Sequence, residues 1–142
     1  MNRLGQRRRF PRAPGAGAFS AARASAVAAA TASPAAGWHH HVYVVELDPA
    51  VARLRIVRAT NPDRDPKKPC VYVGMSGLPP EERLENHLNG YKASPFVRRY
   101  GRRLLPELFA HLNPMPYAAA QEMERDLAED LRRQGYTVTG GH

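Results

Sequence analysis

From Trp38 onward, short apolar runs alternate with polar, proline-rich segments. Residues 41–47 and 70–74 are runs of β-branched and aromatic residues of strand length, and the polar loop 61–69 with three prolines precedes the second run. Such runs favour β-strands, and prolines with Asn and Asp favour loops. We therefore predict two strands that pair as neighbours, with a short helix from Asp48 to about Arg55 between them. An extended conformation of residues 54–57 is the alternative.

Three later segments carry the residues that typically begin and end helices. Pro80, two acidic residues in the next turn and Gly90 bound the first segment, and Ser94 precedes Pro95 at the start of the second. Proline at the first helical position, a Ser cap and a terminal Gly are favourable there. Apolar residues recur at helical spacing in the third segment, residues 116–134. We predict a helix in each.

Two further apolar segments complete the predicted architecture. Residues 104–109 are expected to form a third strand, at an edge because Pro106 has no N–H for a ladder, and residues 136–138 a last short strand. The pattern thus predicts a small α/β (α+β) domain in residues 38–142. Its mainly antiparallel three-stranded sheet would be flanked by helices.

The first 37 residues differ in composition from the rest. They hold six Arg and no acidic residue among Ala, Ser, Pro and Gly, which predicts a disordered basic tail; an organellar transit peptide has the same composition. The chain has a net charge of +8, but residues 38–142 hold 15 basic and 13 acidic residues. A nucleic-acid surface on the domain must therefore be argued from local clusters.

Cysteine content and hydropathy exclude several protein classes. A single Cys allows no internal disulfide and no Cys-based zinc site, which favours a reducing compartment, and we expect a cytoplasmic protein. No segment has the roughly 18 apolar residues that a membrane-spanning helix needs, so no membrane partner is expected.

An ordered series of short motifs points to a function. The triplets His41-Val42-Tyr43 and Tyr72-Val73-Gly74 are followed by Arg83 and His87 on one helix and by a Glu on the long helix. This series resembles the GIY-YIG nuclease family. The resemblance implies a metal-dependent endonuclease that hydrolyses phosphodiester bonds in DNA, with Mg²⁺ or Mn²⁺ as cofactor, on a small sheet flanked by helices.

The residue types suit phosphodiester hydrolysis. Arg83 and His87 are four residues apart and share a helix face, so Arg83 can hold a phosphate oxygen while His87 acts as a base or proton shuttle. The alternative for this pair is two solvated surface residues on an amphipathic helix. The resemblance implies that Tyr43 and Tyr72 line the site and orient or deprotonate the attacking water. Gly74 would allow the backbone to approach the substrate closely. Packing alone is the other interpretation of the tyrosines.

Two acids on the long helix are candidates for the metal ligand. Helical geometry places Glu124 within the apolar stripe and Glu122 on the opposite face. We predict Glu124, because an acid on an apolar stripe is costly without a cation or hydrogen-bond partner. A Glu that reaches water from the edge of the stripe stays the alternative. The stripe is marked by Ala120, Met123, Leu127 and Leu131.

A cluster of basic residues follows the Arg83 helix, with aromatic residues between them. It predicts a groove that binds a nucleic-acid backbone, although a solvated basic face is the alternative. Its members are Lys92, Arg98, Arg99, Arg102 and Arg103.

The sequence also departs from the family pattern. His41 stands where Gly is usual, Met75 where Lys is frequent, the connection from Tyr43 to Tyr72 is long, and no Asn follows Glu124. Thr139 or His142 are candidates to replace that Asn. These departures favour, as the second reading, a catalytically inactive nucleic-acid-binding module on the same fold, and a small interaction domain as the third. The sequence alone predicts neither the choice between DNA and RNA as substrate, nor the preferred substrate structure, nor the oligomeric state.

Overall fold

The computed structural model describes residues 37–142, which form an α+β domain with one four-stranded mixed sheet in the order β3-β1-β2-β4. The tail predicted for residues 1–37 lies outside the described residues except for Gly37. The strands are β1 (His41–Leu47), β2 (Cys70–Ser76), β3 (Gly101–Leu104) and β4 (Thr137–Gly140). The helices are α1 (Arg55–Thr60), α2 (Pro80–Leu88), α3 (Pro95–Tyr100) and α4 (Tyr117–Arg133).

Strands β1 and β2 form the antiparallel centre of the sheet. Tyr43 pairs with Gly74 and Val45 pairs with Tyr72, so both tyrosines project from the same face of the sheet. Tyr43 and Val45 on that face, and Val42 and Val44 on the other, are at most 1% exposed. The sheet is therefore a middle layer with chain packed on both sides, and the predicted pairing of the first two strands is confirmed.

The prediction of three mainly antiparallel strands is wrong in two respects. β3 is the segment Gly101–Leu104, antiparallel to β1, whereas residues 104–109 mostly leave the sheet in short 3₁₀ turns that bury Leu105 and Phe109. β4 pairs with β2 in parallel. A parallel pair needs a long crossover, and α4 lies within it.

The predicted helices agree with the structure more closely. α2, α3 and α4 start and end within two residues of the predicted limits, and the Ser94 hydroxyl accepts a hydrogen bond from the Phe96 N–H at 3.2 Å. After Asp48, whose side chain accepts from the Ala50 N–H, the chain forms a 3₁₀ helix at Pro49–Arg53 and then α1. No helix in residues 37–142 is long and apolar enough to cross a membrane.

The apolar stripe of α4 packs on the sheet. α4 contacts β2, β4 and β1, while α2 and α3 contact β1 and β3. The four stripe residues are at most 1% exposed, which is the burial that the helical spacing predicted. α4 thus carries Glu124 into the protein interior, whereas Glu122 is exposed.

Candidate active site

Three rings from β1, β2 and α2 meet in one cluster. Their centroids lie 6.2 Å apart for Tyr43 and Tyr72, 6.0 Å for Tyr43 and His87, and 5.5 Å for Tyr72 and His87. Tyr43 and His87 are each only 1% exposed, and Tyr72 is half-buried. The structure therefore brings together three of the five side chains predicted to be catalytic.

Hydrogen bonds on both ring nitrogens fix the tautomer of His87. The Ser94 backbone N–H donates to Nδ1 at 3.0 Å, so Nδ1 carries no proton. Burial, helped by the Arg83 charge, lowers the His87 pKa to about 4, and the ring is neutral at physiological pH. Its proton is therefore on Nε2, which donates to the Tyr43 hydroxyl oxygen at 2.8 Å.

Burial also sets the protonation of the two tyrosines. It raises the pKa of Tyr43 well above its ordinary value of 10, and it raises the pKa of Tyr72 as well. For both phenols the charge of Arg83 opposes this rise and the charge of Glu124 adds to it. Arg83 and Glu124 thus both lie within electrostatic range of the tyrosine pair.

Gly74 makes room for the tyrosine pair. A Cβ at this position would lie 2.6 Å from the Tyr43 hydroxyl oxygen and 2.9 Å from Tyr72 Cε2, too close for any side chain. Gly74 is itself buried. Gly74 therefore allows the two phenol rings to lie close to the backbone. A substrate cannot approach the buried Gly74 backbone in the way that we predicted from the sequence.

Arg83 is held in place by the loop between α2 and α3. Its two terminal nitrogens donate to the carbonyls of Tyr91 at 3.3 Å and Lys92 at 2.7 Å. These bonds use two of the five guanidinium N–H groups, so the others can bind a ligand. Gly90 and Lys92 have positive φ angles of 85° and 46°, which turn the loop back towards α2.

Glu124 is a residue whose side chain is largely buried. It is 6% exposed and makes no hydrogen bond or ion pair within residues 37–142, but its oxygens are not among the fully enclosed unpaired polar atoms of those residues, so they keep some contact with the surface. Burial raises its pKa to about 7, against a weaker opposing effect of Arg125. An unpaired buried carboxylate costs free energy that a bound cation would offset.

The pKa of Glu124 predicts how stability depends on pH. Because the pKa rises from 4.5 to about 7 on folding, the folded state holds the proton more tightly. The free energy of unfolding should fall as pH rises from about 4.5 to 7, and the loss, about 1–3 kcal/mol, should be complete above 7. Glu124→Gln should remove this loss and be more stable than wild type at pH 8, as measured by urea unfolding without divalent metal.

The control for this prediction is Glu129→Gln, a change at an exposed position of the same helix. It should keep the pH dependence of the wild type. Equal stability of wild type and Glu124→Gln at pH 8 would contradict this prediction, because it would mean that the ionised Glu124 carboxylate does not lower the free energy of unfolding.

A cavity of about 350 Å³ opens beside the ring cluster. Tyr72, Arg83, His87, Lys92 and His142 are among the residues that line it. The motif series did not include His142, which the chain places there through two glycines with positive φ, Gly140 at the end of β4 and Gly141 after it. These glycines pack too tightly for side chains, Gly140 against Tyr72 and Gly141 against Ala128.

The other candidate for the missing Asn is less accessible. The Thr139 hydroxyl is buried and donates to the Val71 carbonyl at 3.0 Å, so its proton is already used. His142, in contrast, is exposed at the cavity. The structure therefore places His142, and not the Thr139 proton, where a ligand can reach it.

The predicted basic cluster divides into separate parts. Lys92 lines the cavity, whereas Arg102 pairs with Asp48 at 3.3 Å and Arg103 with Glu46 at 2.9 Å. Both pairs arise because β3 lies next to β1. Arg98 packs against Gly90 and Arg99 lies over the Tyr100 ring, both exposed. Of the five residues, Lys92 is thus the one that joins the candidate site.

Comparison of the chain with models of protein families, with curated proteins and with solved structures gives no match.

Proposed function

We propose that this protein is a metal-dependent endonuclease that hydrolyses phosphodiester bonds in DNA, of the GIY-YIG type. The observation that carries the proposal is the buried, unpartnered carboxylate of Glu124 within electrostatic range of Tyr43 and Tyr72. The positive charge of Arg83, on α2, lowers the pKa of the same two phenols. The charges of an acidic group that can bind a cation and of a basic group that can bind a phosphate thus both act on one pair of phenols. Arg83 and Tyr72 line the cavity, whereas Glu124 is not among its lining residues.

The donor set at Glu124 fits Mg²⁺ or Mn²⁺. Both ions prefer oxygen ligands, and Mg²⁺ commonly binds through one or two carboxylates with waters and substrate phosphates. No group of three or more His, Cys, Asp or Glu side chains in residues 37–142 is placed to hold a metal ion. Water and substrate would therefore supply the ligands besides Glu124. When bound, the ion supplies positive charge to the phosphate and lowers the pKa of a coordinated water.

The remaining side chains have distinct roles in this proposal. Arg83 binds a non-bridging phosphate oxygen with the N–H groups that the loop carbonyls leave free. Tyr43 and Tyr72 keep their protons at neutral pH. Tyr72, which lines the cavity, orients the attacking water by hydrogen bonding, whereas Tyr43 is buried beside it and supports its ring. His87 is a positioning residue, because its Nε2–H holds the Tyr43 oxygen while Ser94 holds its other nitrogen.

One observation favours the second candidate, a catalytically inactive nucleic-acid-binding module. Both tyrosines have raised pKa values, and both nitrogens of His87 are occupied. None of the three side chains is therefore a ready proton acceptor at neutral pH. The same arrangement of Arg83 and Lys92 would still bind a phosphate backbone.

The test is incubation of labelled single-stranded, duplex and branched DNA at low salt with Mg²⁺, with Mn²⁺ or with a chelator. Cleavage that requires the metal supports the nuclease. Binding that weakens steeply with salt, without cleavage, favours the inactive module. Neither cleavage nor binding would overturn both candidates.

A further inference from the structure

The walls of the cavity combine aromatic and cationic side chains. Tyr72 from β2 and Phe96 from α3 supply aromatic rings, and Arg83 and Lys92 supply positive charge. No Asp or Glu is among the residues that line the cavity. Aromatic rings bind nucleobases by stacking and cationic groups bind phosphates, so these walls suit both parts of a nucleotide.

The size of the cavity limits what can enter it. Its volume of about 350 Å³ is near the lower end of the range of about 300–1,000 Å³ for ligand pockets. One nucleotide has the right size, but a base pair within a stacked duplex cannot enter without being unstacked, which costs free energy.

We infer that the cavity binds one unpaired nucleotide, with its base against Phe96 and Tyr72 and its phosphate at Arg83 and Lys92. The substrate class is then single-stranded nucleic acid or a duplex with unpaired nucleotides next to the scissile phosphate. This inference rests on the proposed function, because Arg83 binds a phosphate in both. It adds a preference for unpaired nucleotides, which phosphodiester hydrolysis itself does not require.

The cavity wall is connected to the reacting groups. The loop that carries Lys92 accepts hydrogen bonds from Arg83 through its carbonyls, and the Ser94 N–H binds His87. Ser94 also caps α3, which sets the position of Phe96. A nucleotide bound at Phe96 therefore lies next to a loop that is hydrogen-bonded to both Arg83 and His87.

The experiment measures binding of a fluorescent single strand and of a blunt duplex of the same sequence by anisotropy, with Ca²⁺ in place of Mg²⁺. The single strand should bind at least about 10-fold more tightly than the duplex. Phe96→Leu keeps an apolar side chain but removes the ring, and it should weaken binding of the single strand by roughly 5- to 100-fold. It should leave binding of the duplex unchanged.

Two further variants make the result specific. Tyr117→Leu removes an aromatic ring at an exposed position outside the cavity and should bind both DNAs like wild type. Lys92→Ala, a change at an exposed residue, should also weaken binding of the single strand, and it guards against a folding defect of Phe96→Leu.

The outcomes separate this inference from the proposed function. Equal or tighter binding of the duplex, or equal weakening of both DNAs by Phe96→Leu, would overturn the single-nucleotide site even if duplex DNA is cleaved. A preference for the single strand that Phe96→Leu removes, together with weaker binding of the single strand by Lys92→Ala, would support the site even in a protein that cleaves nothing.

Discussion

Glu124→Ala is expected to abolish Mg²⁺-dependent cleavage, with a fall in rate of roughly 10³-fold. The reason is that Glu124 is the carboxylate available to the ion, and loss of several kcal/mol of transition-state stabilisation corresponds to a change of this size. The measurement is the single-turnover rate on labelled DNA at saturating Mg²⁺.

The same substitution should not unfold the protein, which makes the result easy to interpret. Removal of an unpartnered buried carboxylate relieves the cost that raises its pKa, so the unfolding temperature at pH 8 should not fall. Glu122→Ala, two residues away on the exposed face of α4, is the matched control and should cleave like wild type. Full activity of Glu124→Ala would contradict the proposed metal site.

Local patterns in the sequence predicted most of the elements but not the whole sheet. β1, α2, α3 and α4 have strong periodicity or capping residues, and these signals depend on neighbours in the chain. β3 contains Arg102 and Arg103, which make it look like a polar loop, and its pairing with β1 joins residues far apart in sequence. The parallel pairing of β4 depends in the same way on the path of the chain through α4.

In the candidate site, too, local relations within a helix could be predicted and relations between distant segments could not. Helical spacing alone predicted that Glu124 lies on the buried stripe of α4 and that Arg83 lies beside His87 on α2. Each of these predictions concerns residues of a single helix, so it needs no knowledge of the tertiary fold. The tautomer of His87 could not be predicted, since it depends on the Ser94 N–H in the following loop. Arg102 and Arg103 form ion pairs instead of joining the predicted groove, and this depends on the pairing of β3 with β1. The position of His142 depends on two glycines packed against Tyr72 and α4.

Arg83→Lys should reduce the cleavage rate by about 10²-fold or more while DNA binding weakens much less. Lysine keeps the charge but lacks the planar fork, so it cannot donate to the Tyr91 and Lys92 carbonyls and to a phosphate oxygen in the same geometry. Loss of one preorganised donor to a developing negative charge costs roughly 10²- to 10³-fold in rate. Single-turnover rates and anisotropy on the same DNA separate the two effects.

The control for this prediction is Arg99→Lys, at an exposed position of α3. Both steps should be nearly unchanged in this variant. A loss of binding as large as the loss of rate in Arg83→Lys would mean that Arg83 holds substrate equally in the ground and transition states. Arg83 would then serve a binding module, and the argument for catalysis would depend on Glu124 alone.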